Sequence, residues 1–226
     1  MPETSLQGKV ASENGKKAEN VFFETIKQHG YNVIENYEEF VSHNPQFCMK
    51  KVAENVFTKS ASAVIYPELL SEEINLKDGI YFFNLKSNKG ITKQFHFNYF
   101  IEEYNPKGEI QNNIFGKDKK FDGLVLKVES NKILSSIFIE IKSSETTGSD
   151  CEKNEYTINF VREFFPNSKI LFFGIGENYK KDTSTKEKLI SLYRIRKNNI
   201  GRKDLFSITE EEFKEYFEDF NRFINE

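Results

Sequence analysis

Cysteine, histidine and long apolar runs are scarce in this 226-residue chain, and each shortage excludes something. The two cysteines, Cys48 and Cys151, lie far apart and form no CxxC pair. With only three scattered histidines, the chain has no spacing suited to a structural zinc site. A reduced, cytoplasmic protein is the expectation. The longest apolar runs are strand-sized, such as residues 170–173, so no membrane span is expected. The opening MPETSLQGK lacks a basic start followed by an apolar stretch, so it does not read as a signal peptide. There is no repeat, no low-complexity tract, and no helicase or methyltransferase motif.

Excess charge of one sign is also missing. The net charge is −3, whereas a protein that coats nucleic acid is usually strongly basic. The total hides a split. Residues 179–203 hold nine Lys/Arg against two acids, and residues 204–226 hold eight acids against two bases. A local basic strip binds phosphate even on an acidic chain.

Phenylalanine is abundant, at 23 residues, enough to bury a sizeable core. The length suits a single domain spanning residues 1–226. Residues 15–30 read as an amphipathic helix, with Ala18, Val21, Phe22 and Ile26 on one face, Asn14 as cap and Gly30 as stop. A strand follows at 31–34. Residues 35–116 read as an insertion, with helices at 44–56 and 67–74 and strands at 79–85 and 92–101. Beyond it come a strand at 121–128, a turn at Ser130-Asn131, and a strand at 133–142. A polar loop leads to a helix at 151–165, ended by Pro166, and then to the apolar run KILFFG, typical of a strand buried on both faces. A helix is expected at 184–193. A last helix capped by Thr209 carries a stripe of Phe213, Phe217, Phe220 and Ile224, read as core packing.

The chemistry lies in two short pieces, KFDG at 120–123 and FIEIK at 138–142. Strand alternation puts Phe138, Glu140 and Lys142 on one face and Ile139 and Ile141 on the other. If Asp122 faces the same way from the neighbouring strand, two carboxylates and an ammonium converge. Magnesium takes a few carboxylate oxygens, with water and phosphate filling the rest. Asp122 and Glu140 supply such oxygens, and Lys142 suits orienting water or stabilising developing negative charge. The D/E-x-K triplet alone is unspecific: it occurs three times, at Asp118, Glu140 and Glu212. Only the Glu140 copy sits in an apolar strand with an Asp-Gly strand upstream.

This order of helix, Asp strand, Glu-x-Lys strand, helix and strand resembles the PD-(D/E)xK nuclease superfamily. The resemblance covers 15–31 and 121–176. It implies an α/β fold with an αβββαβ core, a mixed central sheet flanked by helices, and here an added insertion and C-terminal helix. It implies a Mg²⁺-dependent nuclease with catalytic Asp122, Glu140 and Lys142. The Gly15-x-x-Ala18-Glu19 helix is similar to the family's first core helix, so Glu19 joins as a further acid at the metal site. Phe121 stands where the family's nominal proline would be. No Gln-x-x-x-Tyr follows the lysine, which turns the reading away from recombination-type exonucleases.

The chain has about a hundred residues beyond a minimal core. That favours a type II restriction endonuclease, a homodimer cutting a palindromic site in double-stranded DNA. The alternatives are a structure-specific repair nuclease or Holliday junction resolvase, and a nuclease-fold DNA-binding protein without catalysis. Phosphate contacts are expected from Ser143, Ser144, Thr146, Thr147 and Lys153, which follow the lysine. Arg194, Arg196, Lys197, Asn198, Asn199, Arg202 and Lys203 form a basic loop suited to base edges. Residues 86–98 are a third candidate surface.

Overall fold

A computed structural model describes residues 6–35, 74–84, 96–97, 103–104, 110–111, 119–143, 150–181, 187–198 and 201–226. Helix α1 spans Leu6–Gln28 and starts a good two turns before the expected position. Asn14 therefore lies inside the helix rather than at its cap. Gly15 does not stop it, because a glycine costs only about 1 kcal/mol in a helix interior and no strong breaker is present. The end is where the sequence put it. Gly30 adopts φ 85°, Gly30 N–H bonds Lys27 O at 2.9 Å, and Tyr31 N–H bonds Ile26 O at 3.3 Å. That pair of bonds is a Schellman stop. The buried face is Ala18, Phe22, Phe23 and Ile26, while Val21 is 40% exposed.

The chain then builds a six-stranded mixed sheet: β1 (Asn32–Ile34), β2 (Gly79–Asn84), β3 (Gly123–Glu129), β4 (Lys132–Ser143), β5 (Lys169–Ile175) and β6 (Leu205–Thr209), lying side by side in chain order. β2–β3 and β3–β4 pair antiparallel, and β1–β2, β4–β5 and β5–β6 pair in parallel. Ser130 and Asn131 both take positive φ, the geometry of the two-residue turn that matches strand twist in the β3–β4 hairpin. The parallel crossovers carry α2 (Asp150–Phe164) and α3 (Glu187–Asn198), and α4 (Phe217–Asn225) closes the chain.

Alternation along the strands feeds two cores. Leu124, Leu126, Phe138, Ile170 and Phe172 pack under α2 and α3, with Ile158, Val161, Leu192 and Ile195. Val125, Ile137, Ile139, Ile141, Leu171 and Phe173 pack under α1 and α4, with Phe22, Phe23, Phe220 and Ile224. β5 contributes to both, which is why its sequence is apolar without interruption. The molecule is thus an α/β layered fold. The run α1, β2, β3, β4, α2, β5 is compatible with the αβββαβ core expected from sequence, but its first strand, β2, comes from the stretch read as an insertion. β1 and the unit α3–β6–α4 are additions to it.

Two further boundaries depart from the sequence reading. The expected last helix does not follow Thr209 directly: strand β6 ends at Thr209, turns run through 210–216, and the chain becomes helical only at Phe217. Residues 205–209 are apolar or hydroxyl-bearing and gain more by pairing onto β5 than by extending a short helix. Thr209 still makes a capping-box exchange. Its hydroxyl accepts the Glu212 N–H at 3.2 Å, and its own N–H donates to Glu212 Oε2 at 3.2 Å. Helix α3 runs later than expected, so Arg194, Arg196, Lys197 and Asn198 stand on a helix rather than in a loop. The helices expected at 44–56 and 67–74, and most of the insertion, lie outside the described residues. Among the described residues no helix is long and apolar enough to cross a membrane.

Candidate active site

The β3–β4 register pairs Gly123 with Ile139, so one step further Asp122 stands opposite Glu140. Here the regular ladder gives way. Asp122 N–H donates to Ile139 O at 3.0 Å, and Asp122 Oδ2 accepts the Ile141 N–H at 2.6 Å. The side-chain carboxylate takes the place of a main-chain carbonyl. The two bonds of Asp122 to β4, one from its main-chain N–H and one to its carboxylate, flank Glu140. A carboxylate offers about four acceptor positions, and the amide takes one of them.

Glu140 and Lys142 lie two apart on one face of β4, and Lys142 Nζ is 3.0 Å from Glu140 Oε2. Asp122 is 7% exposed and Glu140 4%, while the Lys142 side chain keeps 15%. Buried carboxylates are costly unless paired, so the ammonium balances charge that the core would otherwise reject. The parallel partners on β5 are Phe172 beside Glu140 and Gly174 beside Lys142. A side chain at Gly174 would run into Tyr179 at 2.6 Å and Leu192 at 2.7 Å. Tyr179 and Leu192 thus fill the space beside Gly174, the lysine's neighbour on β5.

Gly123 explains the Asp-Gly pair. It opens strand β3 and is not among the positive-φ glycines, so Asp122-Gly123 is no hairpin turn. A Cβ there would meet Phe23 Cζ at 2.9 Å, Ile139 Cδ1 at 3.0 Å and Phe83 O at 3.1 Å. Helix α1 thus rests directly on the strand beside Asp122. Gly123→Ala should lower stability in urea unfolding by about 1–3 kcal/mol, the usual cost of overpacking, because the Phe83 carbonyl cannot yield like a side chain.

Glu19 lies one helical turn before Phe23 and is 7% exposed. It belongs to α1, which covers the sheet face carrying Ile139 and Ile141, opposite to that of Glu140 and Lys142. Among the described residues no group of three or more His, Cys, Asp or Glu side chains is placed to share a metal ion. The structure therefore brings Asp122, Glu140 and Lys142 together but does not unite Glu19 with the two carboxylates in one cluster. A pair remains, and one or two carboxylates suffice for magnesium, whose other positions go to water and phosphate. The sequence reading missed Asn84, a 5%-exposed amide at the end of β2 paired in register with Gly123. A lone Asn ending an apolar run GIYFFN is the only signal it leaves.

The expected DNA contacts fare unevenly. Ser143 is half-buried at the end of β4, and Lys153 is exposed in the first turn of α2. Ser144, Thr146, Thr147 and Asn199 lie outside the described residues, as does the side chain of Asn198. Arg194 and Lys197 are exposed on α3. Arg202 is held by Asp204, with bonds of 2.9 and 3.1 Å, and Lys203 is 86% exposed, 3.9 Å from Glu226. Arg196 turns inward. Its Nε donates to Ser207 O at 2.7 Å, and its two terminal nitrogens reach the Glu212 carboxylate at 3.2 and 2.6 Å. Glu212 in turn accepts the Thr209 N–H.

This arrangement closes an edge. Ile170 N–H bonds Asp204 O and Glu210 N–H bonds Gly174 O, so even-numbered residues of β6 face β5. Ser207 and Thr209 point their main-chain groups the other way, to the outer edge of the sheet. The Arg196–Glu212 pair satisfies one group on each, in place of a seventh strand.

The chain matches no protein-family model, no curated protein and no solved structure.

Proposed function

We propose that the chain is a Mg²⁺-dependent deoxyribonuclease, a type II restriction endonuclease that acts as a homodimer on a palindromic site in double-stranded DNA. The observation that carries this reading is the Asp122 carboxylate, anchored on the Ile141 N–H between Glu140 and Lys142, which are themselves 3.0 Å apart. Asp122 and Glu140 are hard oxygen donors of the number magnesium takes from a protein. A bound magnesium supplies polarisation of the scissile phosphate and a lower pKa for attacking water.

The chain's own residues do the positioning. The Ile141 amide and the strand register fix where Asp122 and Glu140 hold their oxygens. Lys142 balances Glu140 and offers an ammonium to charge that develops on the phosphate. Exposed Arg194, Lys197 and Lys153 suit contacts with DNA phosphates. Two-fold symmetry would give one such centre to each strand.

Incubation of purified protein with plasmid and Mg²⁺ should give discrete bands, and EDTA should prevent them. A smear would mean cleavage without sequence specificity. A protein that binds DNA but never cuts with Mg²⁺ or Mn²⁺ would refute the assignment.

A further inference from the structure

The core under α1 is almost wholly apolar, and within it two buried polar side chains stand out, Glu19 at 7% and Asn84 at 5% exposure. Both adjoin Gly123. Asn84 is its register partner on β2 and shares a sheet face with Phe82, the face that α1 covers. Glu19 is one turn before Phe23, whose ring fills the space a side chain at Gly123 would need. The direction of α1 sets the level of each. Its last turn leads through Tyr31 into β1, where Asn32 is level with Tyr81. Earlier turns therefore run toward the end of β2. Phe23 is level with Gly123 and Asn84, and Glu19 lies beyond it, toward the level of Asp122. Buried polar groups are nearly always hydrogen-bonded. A carboxylate only accepts, whereas an asparagine amide donates two hydrogens.

We propose that Asn84 is a positioning residue for this site, its amide holding the Glu19 carboxylate on the α1 side of the Asp122 corner. Asn84 would thus act on the site through Glu19, by fixing a carboxylate that adds negative charge behind Asp122. The functional part rests on the nuclease reading, but the contact itself does not.

A carboxylate–amide swap tests the contact in DNA-free protein. Asn84→Asp alone should lower the urea midpoint by setting two carboxylates against each other, and adding Glu19→Gln should restore it. Two side chains that do not touch would give additive losses and no rescue, which overturns the proposal. If Asn84→Asp fails to fold, Asn84→Ala and Glu19→Gln combined in the same cycle must be non-additive. Calorimetric Mg²⁺ titration supplies the functional arm. Asn84→Ala should weaken Mg²⁺ binding about tenfold, the scale for losing outer support of a metal site, and unchanged affinity would reduce Asn84 to a packing role. If the parent itself binds no Mg²⁺, the nuclease reading fails, while the swap still decides the contact.

Discussion

Asp122→Asn is expected to abolish Mg²⁺-dependent cleavage while leaving the fold and DNA binding intact. The two roles of Asp122 make this separation possible. An asparagine oxygen still accepts the Ile141 N–H, so the anchor to β4 survives. The negative charge does not. Asp122→Ala should lose both. It leaves the buried Ile141 amide unpaired, at a cost of about 1–3 kcal/mol in urea unfolding. Lys142→Ala should also stop cleavage with DNA binding retained. A loss of about 10²–10³-fold is the scale for removing one group that stabilises transition-state charge. Single-turnover cleavage of a plasmid, with binding followed in Ca²⁺, reads all three variants. Near-normal cleavage by Asp122→Asn would remove Asp122 from the site.

The largest stability effect belongs to Arg196→Ala. The two members of its ion pair differ in burial: Glu212 is 3% exposed, and the Arg196 side chain 35%. Removing the arginine strands a carboxylate away from water, a loss of about 3–5 kcal/mol. Removing the carboxylate by Glu212→Ala frees a guanidinium that can reach solvent, and chiefly unpairs the Thr209 amide, a loss of about 1–3 kcal/mol. The order of the two in urea unfolding is the test, and the reverse order would refute this account. The same pair gives stability a pH dependence. Burial pushes the Glu212 carboxyl up, but the bonds and charge of Arg196 outweigh it and hold the group below its ordinary 4.5. Asp204, with burial likewise opposed by Arg202 and Arg162, lies below its ordinary 3.8. Depressed carboxyl values mean that this stability is fully present above the unfolded-state values. It is lost as pH falls through the lower folded-state ones. Thermal unfolding should therefore shift down below about pH 4.5 in the parent, and by less in Glu212→Ala.

How far the sequence led depends on how local each signal was. The Ser130-Asn131 hairpin, the Gly30 stop and the doubly buried β5 each follow from a few adjacent residues, and each stands where it was read. So does the shared face of Glu140 and Lys142, which strand alternation dictates. The position of Asp122 needed the β3–β4 register, and the meaning of Gly123 needed α1 folded against it. Neither is visible in a turn-like Asp-Gly pair. β6 left no sequence signal because its pairing with β5 is non-local, and residues 210–216 were expected as helix because the acidic run after Thr209 suits a helix start. Arg196 looked like a DNA-reading residue for the same reason: its acceptor, Glu212, comes from a different element. Asn84 carries no motif, and only burial marks it.

The closed edge at β6 has a consequence for how the molecule fails. β1, the other outer strand, is three residues long and offers little to pair with. β6 is the longer template, and one guanidinium–carboxylate pair blunts it. Protonating Glu212 would unseat that pair and bare main-chain groups of Ser207 and Thr209 to any extended segment nearby. Acid would then do more than weaken the fold, since the same proton would create a sticking surface. For this chain, acid sensitivity and aggregation would be two readings of one event.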